Sequence, residues 1–183
     1  MTSDNYSLKP LVSKEDINLR VTELGTEISN YYREILADDE YLLVIGVLNG
    51  AFVFMADLIR NITVPLEIDF VRLSSYQDSQ TSSSKVVMLK DLECEISNRH
   101  VLVVEDIADI GLTLNWLLQH INSREPASLK LAVAVNKTGR REYKLDIDYV
   151  GFEANDEFLV GYGLDFSRHH RELPGLYAVT GKG

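Results

Sequence analysis

The chain begins with an amphipathic pattern and then alternates between mainly apolar runs and mixed segments. Apolar residues recur every three or four positions from Ile17 to Ile35, which predicts a helix that ends near Ala37. Ser13 suits the N-cap of this helix, with Asp16 three residues on as a loose capping box. Three later runs are apolar along most of their length and predict strands that are covered on both faces. These runs are residues 42–48, 100–106 and 129–137.

Helices and further strands are predicted between these runs. One helix follows Asn49 and Gly50 and ends near Arg60, and another spans 112–122 with Ile121 and three leucines on one face. Further strands are predicted at 67–75, 85–91, 149–154 and 158–164, and the last two end the regular structure. Apolar strands that alternate with helices are typical of an α/β protein with a Rossmann-like, mostly parallel sheet flanked by helices.

The segment YQDSQTSSSK, residues 76–85, is polar and has no periodicity. Within an otherwise compact domain, such a segment predicts a mobile loop. A solvated hairpin tip is the more common interpretation of a segment of this kind.

Composition narrows the classes of function. A chain of 183 residues, 45% of them hydrophobic, can bury the core of one domain. The net charge of −10 leaves no basic surface for general binding of nucleic acid, and we expect no such partner. The single cysteine, Cys94, excludes an intrachain disulfide and fits a cytoplasmic location.

Two segments bear on membrane targeting. Residues 42–59 are apolar enough to compare with a membrane span, but Asn49 and Gly50 interrupt the run and Asp57 lies in its second half. A strand, a turn and a helix explain this stretch better. The first ten residues, MTSDNYSLKP, lack the apolar centre of a signal peptide. We therefore expect no association with a membrane.

A group of carboxylates ends the second apolar run. Glu105 and Asp106 end the predicted strand, and Asp109 begins a connection that reaches the next helix through Gly111 and Thr113. In an open parallel sheet, ligands bind beyond the carboxyl ends of the strands. Backbone amides at the start of a helix suit a phosphate, while acids can accept hydrogen bonds from ribose hydroxyls or hold Mg²⁺. The alternative is that the acids cap the helix, but a cap needs one carboxylate rather than three.

The sequence around these acids, VLVVEDIADIGLTL (residues 101–114), closely resembles the ribose-phosphate signature of the purine phosphoribosyltransferases. Three more segments are similar to the hypoxanthine-guanine members of this family and occur in the same order. They are residues 42–59, 69–77 and 148–179. The resemblance covers about residues 10–180, and four ordered motifs are far more specific than a single glycine pattern.

The resemblance implies a type I phosphoribosyltransferase core with a small hood from the N- and C-terminal segments, in one domain over residues 1–183. Members of the family join a 6-oxopurine base to phosphoribosyl pyrophosphate and release pyrophosphate. The implied cofactor is Mg²⁺, and the implied assembly is a homodimer or homotetramer. The loop at 76–85, with Ser75 and Tyr76 at its root, is implied to close over the reacting groups and to exclude water.

The resemblance also assigns the donor site. Glu105 and Asp106 match the acidic pair that binds the ribose hydroxyls, and Asp109 matches the proposed general base near purine N7. The 5′-phosphate loop is matched by Asp109, Ile110, Gly111, Leu112 and Thr113. The residues of the family that bind pyrophosphate are matched by Leu48, Asn49, Gly50 and Arg171. The implied metal-binding residues are Glu105, Asp106 and Asp165.

The purine site is implied in the same way. Lys137 matches the donor to the purine O6 atom, which favours an oxo group over the amino group of adenine. Phe158 matches the aromatic residue that stacks on the base, and Leu159 matches the adjacent residue, whose backbone contacts the edge of the purine ring. Asp165 is the fourth residue implied at the purine site. Each has a simpler interpretation: Lys137 as a solvated strand end, Phe158 as core and Asp165 as a turn cap. A metal site at His169-His170 is disfavoured because adjacent side chains diverge.

Two positions depart from the family pattern. Ile110 replaces a threonine that usually follows the aspartate, so a hydroxyl donor to the phosphate is missing. Asn49 stands where many relatives carry a basic residue before the glycine. A strained or cis peptide at Leu48-Asn49 is implied only by analogy.

Three functions are compatible with these patterns. The first is an enzyme of 6-oxopurine salvage, for which the presence of Asp109, Lys137 and Arg171 argues. The second is a nucleotide-binding regulatory module with the same fold and weak or no turnover, for which only Ile110 and Asn49 argue. The third is an enzyme for another base, such as xanthine or a pyrimidine.

Overall fold

The structure, a computed structural model, describes residues 6–77 and 84–181. Its helices are α1 (Lys14–Ile35), α2 (Phe52–Ile59) and α3 (Leu112–Asn122). Its strands are β1 (Ser7–Val12), β2 (Leu42–Leu48), β3 (Leu66–Gln77), β4 (Ser84–Lys90), β5 (His100–Ala108), β6 (Ser128–Lys137), β7 (Tyr149–Ala154), β8 (Leu159–Val160) and β9 (Leu176–Thr180). In this part of the chain, no helix has both the length and the apolar character needed to cross a membrane.

Six strands form a central sheet in the order β4-β3-β2-β5-β6-β7. Neighbouring strands are parallel except β3 and β4, which are antiparallel. The smaller sheet, β1-β9-β8, is antiparallel and pairs Ser7 with Thr180. The central sheet confirms the predicted fold class, and the small sheet is the hood that the family resemblance implied.

The central strands are apolar along their length because helices cover both faces of the sheet. On one face, Leu24 of α1 and Phe54 of α2 belong to a buried cluster with Val44 of β2. On the other face, Leu117 of α3 belongs to a buried cluster with Ile45 of β2. Successive side chains of a strand point to opposite faces, so a strand between two helical layers buries every residue.

Several predicted bounds agree with the structure. β2, β7 and α3 have the bounds predicted from the sequence, and α1 begins directly after Ser13. The hydroxyl of Ser13 accepts a hydrogen bond from the N–H of Asp16 at 3.1 Å, as an N-cap does. β5 is two residues longer than predicted and ends at Ala108. Glu105 and Asp106 therefore lie within the strand rather than at its end.

The strand predictions were incomplete at both termini, and one predicted strand was too long. β1 and β9 were not predicted as strands, because their partners Ser7 and Thr180 are 173 residues apart and no local pattern marks them. The strand predicted at 158–164 ends at Val160. The next three residues have φ angles of 92°, 49° and 98°, in the left-handed region that breaks a strand.

The polar segment at 76–85 begins and ends in strands. β3 continues to Gln77, β4 starts at Ser84, and these two residues are partners in the antiparallel pair. The prediction of a loop was therefore wrong at both ends of the segment. Residues 78–83 lie outside the described residues, so the predicted mobility of the loop stays a prediction.

Candidate active site

A cavity of about 720 Å³ opens at the edge of the central sheet where β2 and β5 end. Parallel strands direct the residues that follow them to one edge, so segments that are distant in sequence meet there. The predicted residues that line the cavity are Leu48, Asn49, Gly50, Ser75, Glu105, Asp106, Asp109, Ile110, Gly111, Leu112, Thr113, Asp165 and Arg171. The cavity thus brings together all residues that were predicted for the ribose, the 5′-phosphate and pyrophosphate.

The connection between β5 and α3 presents backbone amides to this cavity. Gly111 occupies the N-cap of α3 with a φ of 93°, and no side chain caps the helix. The N–H groups of Gly111, Leu112 and Thr113 donate no hydrogen bond to another described residue. No acidic residue lies in the first turn of the helix. The positive end of the helix dipole and the unpaired amides therefore suit a phosphate.

Glu105, which is buried, and Asp106, which is half-buried, form an acidic pair beside this connection. The N–H of Asp106 donates to Oε1 of Glu105 at 3.1 Å, and the N–H of Ile107 donates to Oδ1 of Asp106 at 2.8 Å. Burial, together with the charge of Asp106, raises the pKa of Glu105 well above its ordinary value. Burial also raises the pKa of Asp106, although hydrogen bonds and Arg171 oppose this effect. Hydroxyl donors or a cation would stabilise the ionised pair.

The turn after β2 lies directly against the acidic pair. A methyl group on the Cα of Gly50 would overlap Oδ2 of Asp106. Gly163 has a φ of 98°, and a methyl group there would overlap the carbonyl oxygen of Gly50. The Leu48-Asn49 peptide is cis, as the analogy implied. Glycines are therefore required where the turn, the acidic pair and the C-terminal segment meet.

Asp109 differs from the acidic pair because one of its oxygens lacks a partner. Oδ1 is buried and forms no hydrogen bond with any described residue. Oδ2 lies 3.9 Å from a guanidinium nitrogen of Arg140, whose side chain is 56% exposed. Buried acceptors are normally paired, and an unpaired one in a cavity points to a ligand that supplies the donor.

Arg171 and Asp165 form an ion pair, and both residues line the cavity. The guanidinium of Arg171 lies 2.6 Å from Oδ1 of Asp165 and donates to the carbonyl oxygen of Gly163 at 2.5 Å. Oδ2 of Asp165 accepts a hydrogen bond from the N–H of Arg168 at 2.7 Å. Asp165 therefore does cap a turn, as its simpler interpretation held, and it also orients the arginine.

Three predicted purine-binding residues, Lys137, Phe158 and Leu159, are not among the residues that line the cavity. Lys137 ends β6 and is only 4% exposed, so it is not a solvated strand end. Its neighbour Asn136 pairs with Ala108, which places Lys137 beside Asp109 across the sheet. Phe158 is 47% exposed and is not core, whereas Leu159 is buried in the hood.

The predicted metal ligands are not gathered into one group. Within residues 6–77 and 84–181, no three acidic, histidine or cysteine side chains are placed to hold a metal ion. Glu105 and Asp106 lie together, whereas Asp165 is paired with Arg171. His170 forms a hydrogen bond of 2.6 Å with the hydroxyl of Tyr6.

Sequence reasoning missed Arg141, Glu142 and Tyr143. The last two line the cavity, and the guanidinium of Arg141 contacts the backbone of two predicted site residues, Asp109 and Lys137. The only signal in the sequence is a charged Arg-Arg-Glu run after a buried strand, and such a run usually lies on a solvated surface.

The fold and the cavity define a class of protein: an α/β protein that binds a sugar phosphate or nucleotide at the carboxyl edge of a parallel sheet. Residues 15–167 match the family model of the phosphoribosyl transferase domain, and the chain belongs to this family. The resemblance drawn from the four sequence motifs is confirmed.

Individual relatives agree with this membership. The chain is 45% identical to the hypoxanthine phosphoribosyltransferase of Haemophilus influenzae, over 89% of this chain and 90% of that protein. It is 43% identical to the hypoxanthine-guanine phosphoribosyltransferase of Bacillus subtilis, over 91% of this chain and 89% of that protein.

Solved structures show the same fold. A hypoxanthine-guanine phosphoribosyltransferase from Bacillus anthracis is similar with a TM-score of 0.86 and 40% identity, over 96% of this chain and 100% of that one. A hypoxanthine phosphoribosyltransferase from Trypanosoma cruzi, a mutant solved in a ternary substrates complex, has a TM-score of 0.88 and 38% identity. The match covers 94% of this chain and 95% of that one.

Proposed function

We propose that the protein transfers the phosphoribosyl group of phosphoribosyl pyrophosphate to hypoxanthine or guanine, forming IMP or GMP and pyrophosphate in purine salvage. Relatives that carry this name and cover most of the chain support the proposal. The observation that carries it is the unpaired, buried Oδ1 of Asp109 beside the amides that lead into α3. A proton acceptor and a phosphate site in one cavity are what this transfer needs.

The donor substrate is held through its sugar phosphate. The amides of Gly111, Leu112 and Thr113 bind the 5′-phosphate, and Asp109 and Ile110 complete the loop. Glu105 and Asp106 accept hydrogen bonds from the ribose hydroxyls. Burial deprives the two carboxyl groups of water and raises the pKa of Glu105. The ribose hydroxyls donate hydrogen bonds in place of that water and so favour the ionised carboxylates.

The transfer breaks the bond between C1′ of the ribose and the pyrophosphate oxygen and forms a bond from C1′ to N9 of the base. The base loses its proton at N7, and Asp109 accepts it. Its buried Oδ1 atom has no donor among the described residues, and this supports the proposed role. A carboxylate that is already engaged elsewhere would be a poorer base.

The base is recognised at its oxo group. Lys137 donates to O6, Phe158 stacks on the ring, and the backbone of Leu159 reads the ring edge. The 4% exposure of Lys137 supports its role, because a donor with little access to water discriminates strongly between acceptor and donor groups.

The leaving group, pyrophosphate, is held by a separate set of residues that line the cavity. Leu48, Asn49, Gly50 and Arg171 bind pyrophosphate, and the hydrogen bond to Gly163 together with the pair to Asp165 holds the guanidinium of Arg171 in place. The segment that begins at Ser75 and Tyr76 closes over the reacting groups and excludes water.

Phosphoribosyl transfer in relatives of this kind uses a metal ion, and we propose that it is Mg²⁺ here. Glu105 and Asp106 offer only oxygen atoms, which a hard cation prefers. Burial raises the pKa of both carboxyl groups, and a bound cation would offset this effect by favouring their ionised forms. Bound there, the ion would supply positive charge next to the pyrophosphate leaving group. Asp165 is a further candidate ligand.

The test is a spectrophotometric assay of the purified protein with phosphoribosyl pyrophosphate, Mg²⁺ and each of hypoxanthine, guanine, xanthine and adenine. We expect turnover with the first two and almost none with adenine. Efficient use of adenine contradicts the role of Lys137. Binding of IMP without turnover of any base identifies a regulatory module instead, which the enzyme relatives do not favour.

The remaining proposals concern the protein as a whole. We propose that residues 1–183 form one domain, of which the family model matches 15–167. The single cysteine supports a cytoplasmic location. We propose a homodimer or homotetramer, and light scattering after size-exclusion chromatography distinguishes these states from a monomer.

A further inference from the structure

We propose that Arg141 is a positioning residue that fixes the backbone of the proton acceptor Asp109 relative to the backbone of the purine-recognising Lys137. The inference rests on the proposed function, because it concerns the same cavity. Arg141 itself is not among the residues that line the cavity, so it acts through the residues that it holds.

The guanidinium of Arg141 bridges the ends of two neighbouring strands. On the side of β5, it donates to the carbonyl oxygens of Ala108 at 2.9 Å and Asp109 at 2.7 Å. On the side of β6, it donates to the carbonyl oxygen of Lys137 at 2.8 Å and to Oδ1 of Asn136 at 2.7 Å. The β5–β6 pairing places Ala108 opposite Asn136, so the arginine continues the connection between the strands where their ladder ends.

The residues after Arg141 extend this connection to the phosphate loop. The N–H groups of Glu142 and Tyr143 donate to the carbonyl oxygen of Ile110 at 3.0 Å and 3.2 Å. A methyl group on Gly111 would lie 3.0 Å from the carbonyl oxygen of Tyr143 and 3.1 Å from Cδ of Arg141. The segment 141–143 therefore packs directly against the loop whose amides face the cavity.

The charge of Arg141 distinguishes it from an ordinary structural arginine. All four acceptors are uncharged oxygens, and no carboxylate of the described residues forms an ion pair with it. Its positive charge is therefore not neutralised locally and lies close to the proposed phosphate site. A lysine would keep the charge, but one ammonium group cannot reproduce the planar edge of the guanidinium, on which Nε contacts Asp109 and Nη2 lies within hydrogen-bond distance of the other three acceptors.

Arg20, whose guanidinium also forms ion pairs with Glu23 and Glu27, provides a control elsewhere in the molecule. Its guanidinium also donates to main-chain oxygens, those of Val150 at 2.8 Å and Gly151 at 3.3 Å, but it lies on α1 and does not line the cavity. Arg20→Lys is therefore expected to lower the midpoint of thermal unfolding without changing kcat or KM.

The experiment compares Arg141→Lys with Arg20→Lys and the wild type, at a temperature at which circular dichroism shows all three to be folded. We expect Arg141→Lys to lower kcat/KM on the order of 10- to 100-fold, because small displacements of reacting groups have effects of this size. KM for phosphoribosyl pyrophosphate should rise, and the preference for hypoxanthine over adenine should weaken as Lys137 loses its fixed position. A purely structural role predicts a lower unfolding midpoint with unchanged kinetic constants and selectivity, and that result overturns the proposal.

A second variant covers the case in which Arg141→Lys does not fold. Asn136→Ala keeps the arginine and removes one of its four acceptors. We expect a severalfold loss of kcat/KM with the same weakening of base selectivity, and unchanged values in this folded variant also overturn the proposal. Failure of the proposed function would appear separately, as a wild type without turnover. In that case the rise in unfolding midpoint caused by IMP is measured instead, and the same rise in Arg141→Lys or Asn136→Ala as in the wild type contradicts a positioning role.

Discussion

The carboxylate of Asp106 lies against the Cα of Gly50, so closely that a methyl group on Gly50 would overlap Oδ2 of Asp106. The contact joins the turn after β2, proposed for pyrophosphate, to the acidic pair of β5, proposed for ribose. The two halves of the donor site therefore have a fixed separation, and the lack of a side chain at Gly50 sets it.

Gly50→Ala should damage the donor site more than the fold. The added methyl group displaces either the turn or Asp106, and we expect kcat/KM for phosphoribosyl pyrophosphate to fall on the order of 100-fold. Steady-state kinetics with varied donor, beside a thermal unfolding curve, measure both effects.

Gly25→Ala is the matched control for this substitution. A methyl group at Gly25 of α1 would lie 2.6 Å from the carbonyl oxygen of Asn61, away from the cavity. It should lower the unfolding midpoint and leave the donor KM unchanged. Equal donor KM values for Gly50→Ala and wild type would show that the contact does not shape the site.

The raised pKa of Glu105 makes the acidic pair a source of instability in the absence of substrate. Its folded pKa lies well above the ordinary value of 4.5 because of burial and the charge of Asp106. A group of this kind favours the folded state at low pH and loses that contribution as pH rises through the folded pKa. Glu105→Gln should therefore raise the unfolding midpoint at pH 8, with a smaller gain at pH 4, while it lowers activity.

Thermal unfolding of wild type and Glu105→Gln at both pH values tests this prediction. Glu34→Gln, an exposed position on α1, serves as the control and should change neither midpoint. A variant at Glu105 that is destabilised at pH 8 would mean that the buried charge is stabilised in the protein without substrate.

The pKa of Asp69 is shifted in the opposite direction to that of Glu105. Burial disfavours its charge, but the N–H groups of Glu93 and Phe70 donate to it at 2.7 Å each and, with Cys94 and Lys90, lower its pKa to about 2. Its contribution to stability is present above the unfolded pKa and is lost as pH falls toward about 2. Asp69→Asn should lower the free energy of unfolding at pH 7 by about 2 kcal/mol.

Urea unfolding at pH 7 and at pH 3 checks this value. The difference between wild type and Asp69→Asn should shrink at the lower pH, because the wild-type carboxylate then has less advantage over its unfolded state. A difference that is the same at both pH values would assign the loss to packing or hydrogen-bond geometry rather than to ionisation.

Sequence patterns predicted the central sheet because each of its signals is local. The run 42–48 is apolar at every position, and the structure explains why: β2 has helices on both faces. The hood could not be predicted as strands, since Ser7 and Thr180 are 173 residues apart and no local pattern marks their pairing. β8 was predicted too long because consecutive left-handed residues from Gly161 on outweigh its apolar pattern.

The same distinction between local signals and contacts of distant residues applies to the candidate site. Asp109 to Thr113 form a contiguous segment in which the carboxylate, the glycine and the start of the helix follow one another, so sequence alone indicated it. Arg141 was missed because it contacts backbone oxygens at the ends of two separate strands. Every residue type carries such an oxygen, so the sequence at those positions does not indicate the contacts. The close approach of Gly50 to Asp106 was hidden for the same reason.

The departure at Ile110 predicts weak binding of the donor. Ile110 lines the cavity at the phosphate end and brings no hydroxyl to it. A hydrogen bond to a charged group contributes about 1.5–3 kcal/mol, so Ile110→Thr should lower the donor KM about ten- to a hundredfold. Ile110→Val is the matched control, since it keeps the β-branch without a hydroxyl. Equal KM values for phosphoribosyl pyrophosphate in Ile110→Thr and Ile110→Val would contradict the proposed effect of the missing hydroxyl.

The proton acceptor can be separated from nucleotide binding by one substitution. Asp109→Asn keeps the size of the side chain but removes its charge and its ability to take a proton from the base. Because the unpaired Oδ1 is the feature on which the assignment rests, we expect kcat to fall at least about 100-fold. The dissociation constant of IMP, measured by calorimetry, should stay within about threefold, since the amides of residues 111–113 still bind the phosphate. Asp146→Asn, on the exposed connection between β6 and β7, should change neither quantity. A variant at Asp109 that loses IMP affinity as strongly as it loses kcat would make the carboxylate a binding group, and the proton would then need another acceptor in the cavity.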